Sequence, residues 1–325
     1  MSYPIYPKTT EAGRSTSFAE ATAVEQVDSH TYSAFFPSDW SIGTVPHGGF
    51  VTSVFLQTAS KHFATTLRSQ NQPHTIALHI DFLRRTQAGP AKFVVADVKL
   101  GRQTSVIHIT LTQNNQNEVV AYLTNSNIDT EVGPSLDTEY SLHPPPVPAD
   151  LAKLRDDTDP NWSRVHKTSG ANFRKAYTKV TPWLPRQGQH HQSMADEWVA
   201  FSTGERFTNE SLGFICDMWP APVDFFRSSN AAHIKDRRPP KTVLSENSVH
   251  WYPTLVLNLD IKKALPAEGV EFLFVRARTK GVRNGRFDME VVIMDESGEI
   301  VALSHHVCLV LGVERNVADR SGVKL

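Results

Sequence analysis

One acidic side chain stands out by its surroundings. Asp217 closes the run Gly213-Phe214-Ile215-Cys216-Asp217, in which nothing else is charged. A carboxylate on an otherwise apolar helix loses solvation, so its pKa rises unless hydrogen bonds to the ionised form compensate. Such a group can accept a proton or orient a water molecule; the structural alternative is that it bonds to nearby backbone where the helix ends ahead of Pro220. His305 and His306 are neighbours in a strand-like run, and alternation sends them to opposite faces, so only one can face a cleft. An inward ring would position water or move a proton, even one from a carbon acid; a satisfied, partly exposed histidine is the other reading. His47-Gly48-Gly49 precedes a long apolar run, where a helix start gathers unpaired N–H groups and about half a positive charge. That arrangement suits a carbonyl oxygen or a developing oxyanion, with His47 as an added donor, or else a tight turn that needs glycine.

These side chains must be held by a duplicated framework. Thr75-Ile76-Ala77-Leu78-His79-Ile80-Asp81 overlays Thr254-Leu255-Val256-Leu257-Asn258-Leu259-Asp260 at an offset of 179 (254 − 75), with Thr and Asp in matching places. Gly101 then falls opposite Gly281, and Val120-Ala121 opposite Val301-Ala302 at an offset of 181 (301 − 120). In the first copy an apolar helix over 49–61 precedes strands at 75–83, 91–100, 105–112 and 119–125, with a turn at Gln113-Asn114-Asn115-Gln116-Asn117. The second copy predicts a helix around 211–219, capped by Thr208 or Asn209 and stopped by Pro220 and Pro222. Its strands are expected at 254–261, 272–280, 287–294 and 300–311. Leading strands at 23–36, and at 173–180 with 198–202, complete the two sheets. The fold class is α+β, two tandem antiparallel sheets each wrapped around a central helix. The expected divisions are 1–135, a Pro-rich and charged connection at 136–165, and 166–325. An irregular insert at 227–248 could cover a cleft.

The bulk properties narrow the partners. A chain of 325 residues, 40% hydrophobic and 21% charged, suits two cores of common domain size. Its net charge of −1 and lack of long basic runs argue against nucleic acid. No apolar leader or membrane span is evident, so a cytoplasmic location is expected, while the closing Val323-Lys324-Leu325 keeps only part of a peroxisomal address. Cys216 and Cys308 sit in apolar runs, as buried free thiols do, and suggest neither a disulfide nor a zinc site. No G-x-S-x-G, H-E-x-x-H, P-loop or paired C-x-x-C motif occurs.

A buried helix inside a curved antiparallel sheet, present twice, resembles the double hot-dog fold of acyl-CoA thioesterase II. The segments carrying this resemblance are Trp40-Ser41-Ile42-Gly43-Thr44-Val45-Pro46-His47-Gly48-Gly49-Phe50, Gly213–Asp217, Trp251-Tyr252-Pro253-Thr254 and Val301-Ala302-Leu303-Ser304-His305-His306. In that family a helix Asp, a strand Thr and a Gln near the end of the last strand activate water. The resemblance places these roles on Asp217, Thr254 and His306, the last being His where the family has Gln. It implies an acyl-thioester hydrolase acting on acyl-CoA or a carrier-bound acyl or polyketide chain, with His47, Gly48 and Gly49 binding substrate and no metal or redox cofactor required. Alternatives on the same fold are an isomerase, dehydratase or cyclase of a biosynthetic intermediate, or an acyl-binding module without turnover. Arg84, Arg85, Lys262 and Lys263 at the strand ends would either meet phosphates of a phosphopantetheine arm or be solvated. Further assembly into a homo-oligomer is open.

Overall fold

The computed structural model describes residues 15–218, 222–227, 234, 244–245 and 249–318. The first half is organised by the helix Gly48–Ala64. His47 caps it, its Nδ1 accepting from the Phe50 N–H at 3.4 Å, and Lys61 in the last turn complements the negative end of the helix dipole. Phe50, Val51, Val54, Phe55 and Ala59 are all fully buried and span about half of the circumference, and Thr52, Ser53 and Leu56 bury the rest, so the helix must be enclosed.

Six strands enclose it: β1 (Val24–Gln26), β2 (Thr31–Phe36), β3 (His74–Phe82), β4 (Gly89–Lys99), β5 (Ser105–Gln113) and β6 (Gln116–Ser126). In β5, Ile107, Ile109 and Leu111 point inward at strict alternation. Asn114 and Asn115 both take positive φ between β5 and β6, the two-residue hairpin that asparagine tolerates.

The second half supplies β7 (Trp162–Arg164), β8 (Val180–Pro185), β9 (Met194–Phe201), β10 (Thr254–Ile261), β11 (Leu273–Arg278), β12 (Arg286–Met294) and β13 (Ile300–Leu309). Its strands also pack around a helix, but this one is only Leu212–Ile215, followed by a turn through Asp217. Over 211–218 the chain therefore coils for about one turn, and Trp219 and Pro220 lie outside the described residues. Neither Thr208 nor Asn209 caps it: Ser211 Oγ donates to the Thr208 carbonyl at 2.7 Å, and Asn209 Oδ1 accepts from Leu265 N at 2.7 Å. The leading segment also differs, since 175–179 forms a 3-10 turn and the strands are β8 and β9.

The two sheets fuse edge to edge, in the order β1-β2-β4-β5-β6-β3-β10-β13-β12-β11-β9-β8-β7, by antiparallel pairing of β3 with β10. Across that seam Asp81 faces Val256, Ala77 faces Asp260, and His79 faces Asn258. His79 and Asn258 are 179 residues apart and are repeat mates, so a local two-fold axis passes between them; His79 Nδ1 and Asn258 Oδ1 are 2.7 Å apart. Strand pairing also corrects the later repeat register. Leu78 faces Leu123 and its mate Leu257 faces His306, which makes the final-strand offset 183 (306 − 123) and sets Ala121 against Ser304, not Ala302.

One core runs through both halves, and a smaller cluster of Leu142, Leu154, Trp162, Trp183, Phe272 and Phe274 lies where the connection packs on the second sheet. Within 136–165 the chain contributes the helix Leu151–Arg155 and the edge strand β7. Buried Arg276 ties it down, bonding Asp196 through both carboxylate oxygens at 2.6 Å and the Pro144 carbonyl at 2.6 Å. No described helix is long and apolar enough to cross a membrane.

Candidate active site

Asp217 sits where the two helices meet. Its Oδ2 accepts from the Gly49 N–H at 2.7 Å, and its Oδ1 accepts from the Thr254 hydroxyl at 3.1 Å. His306 Nδ1 lies 3.4 Å from Oδ1, off the line of a good hydrogen bond, and His47 Nε2 lies 3.7 Å from Oδ2. The carboxylate is thus held by Gly49 and His47 from the first half and by Thr254 and His306 from the second. Only 6% of the residue is exposed.

That burial pushes the Asp217 carboxyl upward, but contact with His306, the proximity of His47 and the Thr254 hydroxyl outweigh it and hold the group below the ordinary carboxylate value. Burial also pushes His47 down, against the pull of Asp217, which favours the neutral ring. Because His47 Nδ1 accepts from Phe50 N, its proton belongs on Nε2, the atom that faces the carboxylate. The thiols beside the site, Cys216 and Cys308, are driven well up by burial and by the Asp217 charge, so neither is a ready nucleophile.

The glycines have a packing reason. A Cβ on Gly49 would come within 2.7 Å of Asp217 Cβ and 2.8 Å of the Gly213 and Phe214 carbonyls, and one on Gly48 within 2.8 Å of Asp217 Oδ2. Only glycine lets the helix start press on the turn that carries the carboxylate.

All six residues expected at the site are brought together here. Thr254, Gly48 and Gly49 line it through hydroxyl and backbone, and His306 is fully buried, while His305 is exposed on the other face. His305 instead lines a groove of 790 Å³ with His79, Tyr122, Tyr140 and Asn258 on the outer sheet surface, away from Asp217.

Ser304 was not anticipated. Its hydroxyl lies 2.6 Å from His306 Nε2, and the signal was present in the sequence, because alternation puts residues 304 and 306 on one face. A further repeat was also legible: Gly49-Phe50-Val51-Thr52-Ser53 overlays Gly213–Asp217 at an offset of 164 (213 − 49), which makes Ser53 the mate of Asp217. The packing agrees, since a Cβ on Gly213 would meet Ser53 N at 2.8 Å and Ser53 Oγ at 3.0 Å.

The basic strand-end residues are engaged elsewhere. Arg85 donates to the carbonyls of Arg315, Asn316 and Ala318, Arg84 to that of Asn117, Lys262 pairs with Asp260, and Lys263 with Asp295 and Glu299. Most of the insert at 227–248 and the tripeptide Val323-Lys324-Leu325 lie outside the described residues.

Comparison with known proteins decides the family. Residues 36–126 match the acyl-CoA thioesterase N-terminal domain, and residues 143–310 match the acyl-CoA thioesterase C-terminal domain. The chain belongs to the acyl-CoA thioesterase family. Within it, the chain is 35% identical to the thioesterase-like protein TwmA of Talaromyces wortmannii, over 95% of its own length and 96% of that protein's. A conserved hot dog fold protein from Alicyclobacillus acidocaldarius superposes with a TM-score of 0.68 at 17% identity, covering 90% of this chain and 97% of the other. An acyl-CoA thioesterase II from Mycobacterium marinum superposes with a TM-score of 0.58 at 15% identity, over 91% and 98% of the two chains. These likenesses bear out the double hot-dog architecture.

Proposed function

We propose that this protein hydrolyses acyl thioesters, carried on coenzyme A or on a carrier protein and including polyketide-type chains, by activating water at Asp217. The observation that carries this reading is a buried carboxylate kept ionised by donors from both halves. Oδ1, flanked by the Thr254 hydroxyl and the His306 ring, is the oxygen that takes a proton as water attacks the thioester carbonyl. The Gly49 amide is already committed to Asp217, so among the first-turn amides it is the half-buried Gly48 N–H that would receive the carbonyl oxygen, with the His47 Nε2–H beside it. Ser304 holds the His306 ring from behind, which keeps Nδ1 turned to the carboxylate.

The test is release of free thiol from a panel of acyl-CoA and acyl-carrier substrates. Turnover that disappears in Asp217→Asn supports the proposal; turnover unchanged in that variant removes Asp217 from the mechanism.

One observation favours a second reading. His306 faces a carboxylate on one side and a hydroxyl on the other, an arrangement that can pass a proton, which an amide cannot. An isomerase, dehydratase or cyclase on this scaffold would convert its thioester without releasing thiol and would lose all activity in His306→Gln. The hydrolase, using the ring to position water, would keep activity in that variant.

A further inference from the structure

A second constellation lies at the far end of the long helix. His62 sits on its last turn, roughly 22 Å along the axis from His47 at 1.5 Å per residue. The His62 ring is fully buried, and its Nε2 is 3.0 Å from Asp97 Oδ1 on β4. The other carboxylate oxygen is 3.2 Å from Nε2 of His30, on the turn between β1 and β2. One donor atom from each of His30, His62 and Asp97 lies within 4.8 Å of the other two.

We propose that His30, His62 and Asp97 form a binding site for a borderline transition-metal ion of the Zn²⁺ class. Two imidazoles and a carboxylate are the donors such an ion prefers over Mg²⁺ or Ca²⁺, which favour oxygen alone. Tetrahedral ligands at about 2.0–2.1 Å from a metal stand about 3.3 Å apart, close to the two nitrogen–oxygen separations already present. The spacing that must close is between the histidines, and His30 is on an exposed turn that can move inward.

The ring atoms facing away from this point are already provided for. Tyr32 Oη lies 2.9 Å from His62 Nδ1, and Ser29 Oγ lies 2.9 Å from His30 Nδ1. Both hydroxyls can accept as well as donate. A ring bound to a metal through Nε2 carries its N–H on Nδ1, where the neighbouring hydroxyl can accept it. Such outer partners are what fix a ligating imidazole in its tautomer and orientation. Tyr32 is itself held by Gln26, whose Nε2 lies 3.4 Å from its hydroxyl. An ion here would clip the β1–β2 turn to the helix end and to β4, and would stabilise the folded chain by mass action.

The experiment is titration of Zn²⁺ into the chelator-treated full-length protein by calorimetry, with Co²⁺ followed by visible absorption and Mg²⁺ in parallel. The expected result is one equivalent of Zn²⁺, a rise in melting temperature, a Co²⁺ ligand-field spectrum of low coordination number, and no saturable Mg²⁺ binding. His30→Gln and His62→Gln should each weaken binding at least about tenfold, and Tyr32→Phe about tenfold. His30 is only half-buried, on a surface turn, so its variant decides the matter even where His62→Gln fails to fold. Asp217→Asn should bind Zn²⁺ as the parent does. The proposal is overturned by absence of Zn²⁺ binding, by binding that survives in His30→Gln, by Mg²⁺ binding as strong as Zn²⁺, or by loss of the site in Asp217→Asn, which would assign the ion to the thioester cleft.

Discussion

The local two-fold axis relates two helix-end sites that the same folding pattern built and that no longer have the same chemistry. Asp217 corresponds to Ser53, Thr254 to Thr75, His306 to Leu123 and Ser304 to Ala121. In the second half, a charge, an imidazole and a hydroxyl are stacked on one another. In the first half, Leu123 and Ala121 are plain core, and the buried Ser53 hydroxyl forms no hydrogen bond among the described residues. Even the surviving threonine has changed duty: Thr75 donates to Asn125 Oδ1 at 3.0 Å, whereas at the corresponding place Thr254 meets Cys308 at 3.7 Å and gives its hydroxyl proton to Asp217. A hot-dog half therefore needs the glycine contact and the apolar strand faces to fold, but it does not need the carboxylate.

The largest effects should separate the two sites completely. Asp217→Asn is expected to lower thiol release by about 10³-fold, within the usual range for losing a positioned general base, while Ser53→Ala leaves the rate within about twofold. Steady-state assays on both variants read this directly, and equal losses would mean that the halves share the work. The reciprocal change, Ser53→Asp, buries a charge opposite Leu123 with no imidazole to answer it. It should cost about 3–5 kcal/mol in denaturant unfolding and give no turnover when combined with Asp217→Asn. Recovery of activity in that double variant would show that the first site is dormant rather than dismantled.

The shared scaffold should respond alike in both halves, and less strongly. Gly49→Ala and Gly213→Ala each force a methyl group against backbone at 2.8 Å and should cost about 1–3 kcal/mol of stability. A large loss in one and none in the other would break the symmetry of the helix contact. Thr75→Val should cost only about 1 kcal/mol of stability and no rate, whereas Thr254→Val should lower the rate several-fold.

The smallest effect concerns pH. His47 resists protonation in the folded chain, so below its ordinary value of 6.5 the unfolded chain takes up the proton more readily and stability falls as pH falls. His47→Asn, which retains an N-cap acceptor, should flatten the fall in melting temperature between about pH 7 and pH 5. Asp217 contributes in the same sense at lower pH: its stabilisation is present above its unfolded value of 3.8 and is lost as pH drops through the depressed folded value.

Much of this architecture was legible because it rests on periodicity. The long helix could be read from a mostly apolar run after His47-Gly48-Gly49, and β5 and β6 from Val, Ile and Thr enrichment on either side of an Asn-rich turn. The second helix was read as too long because its composition is helical, whereas the folded chain keeps it to Leu212–Ile215, a single turn pressed against Gly49. The 3-10 turn at 175–179 replaced an expected strand, since Lys-Ala-Tyr-Thr-Lys carries no clear period. Asp217 was visible as a lone charge in apolar surroundings. Ser304 and the final-strand register required the pairing partners, and the overlay of Val120-Ala121 on Val301-Ala302 slipped by two residues because runs of small apolar residues look alike when shifted by one period of a strand. His30, His62 and Asp97 carry no motif spacing at all; only the fold brings a turn, a helix end and a strand to one point.

The contact between His79 and Asn258 has a consequence for how such a chain evolves. In an assembly of two identical subunits, a position on the symmetry axis must face its own copy, so every choice there meets itself and complementary partners are forbidden. Joining both subunits in one polypeptide lifts that prohibition, and an imidazole can stand opposite an amide. The same release applies to the helix ends: each gene half mutates alone, and losing one carboxylate no longer loses both. Severing the chain between the halves should accordingly give fragments that seek each other in preference to their own kind.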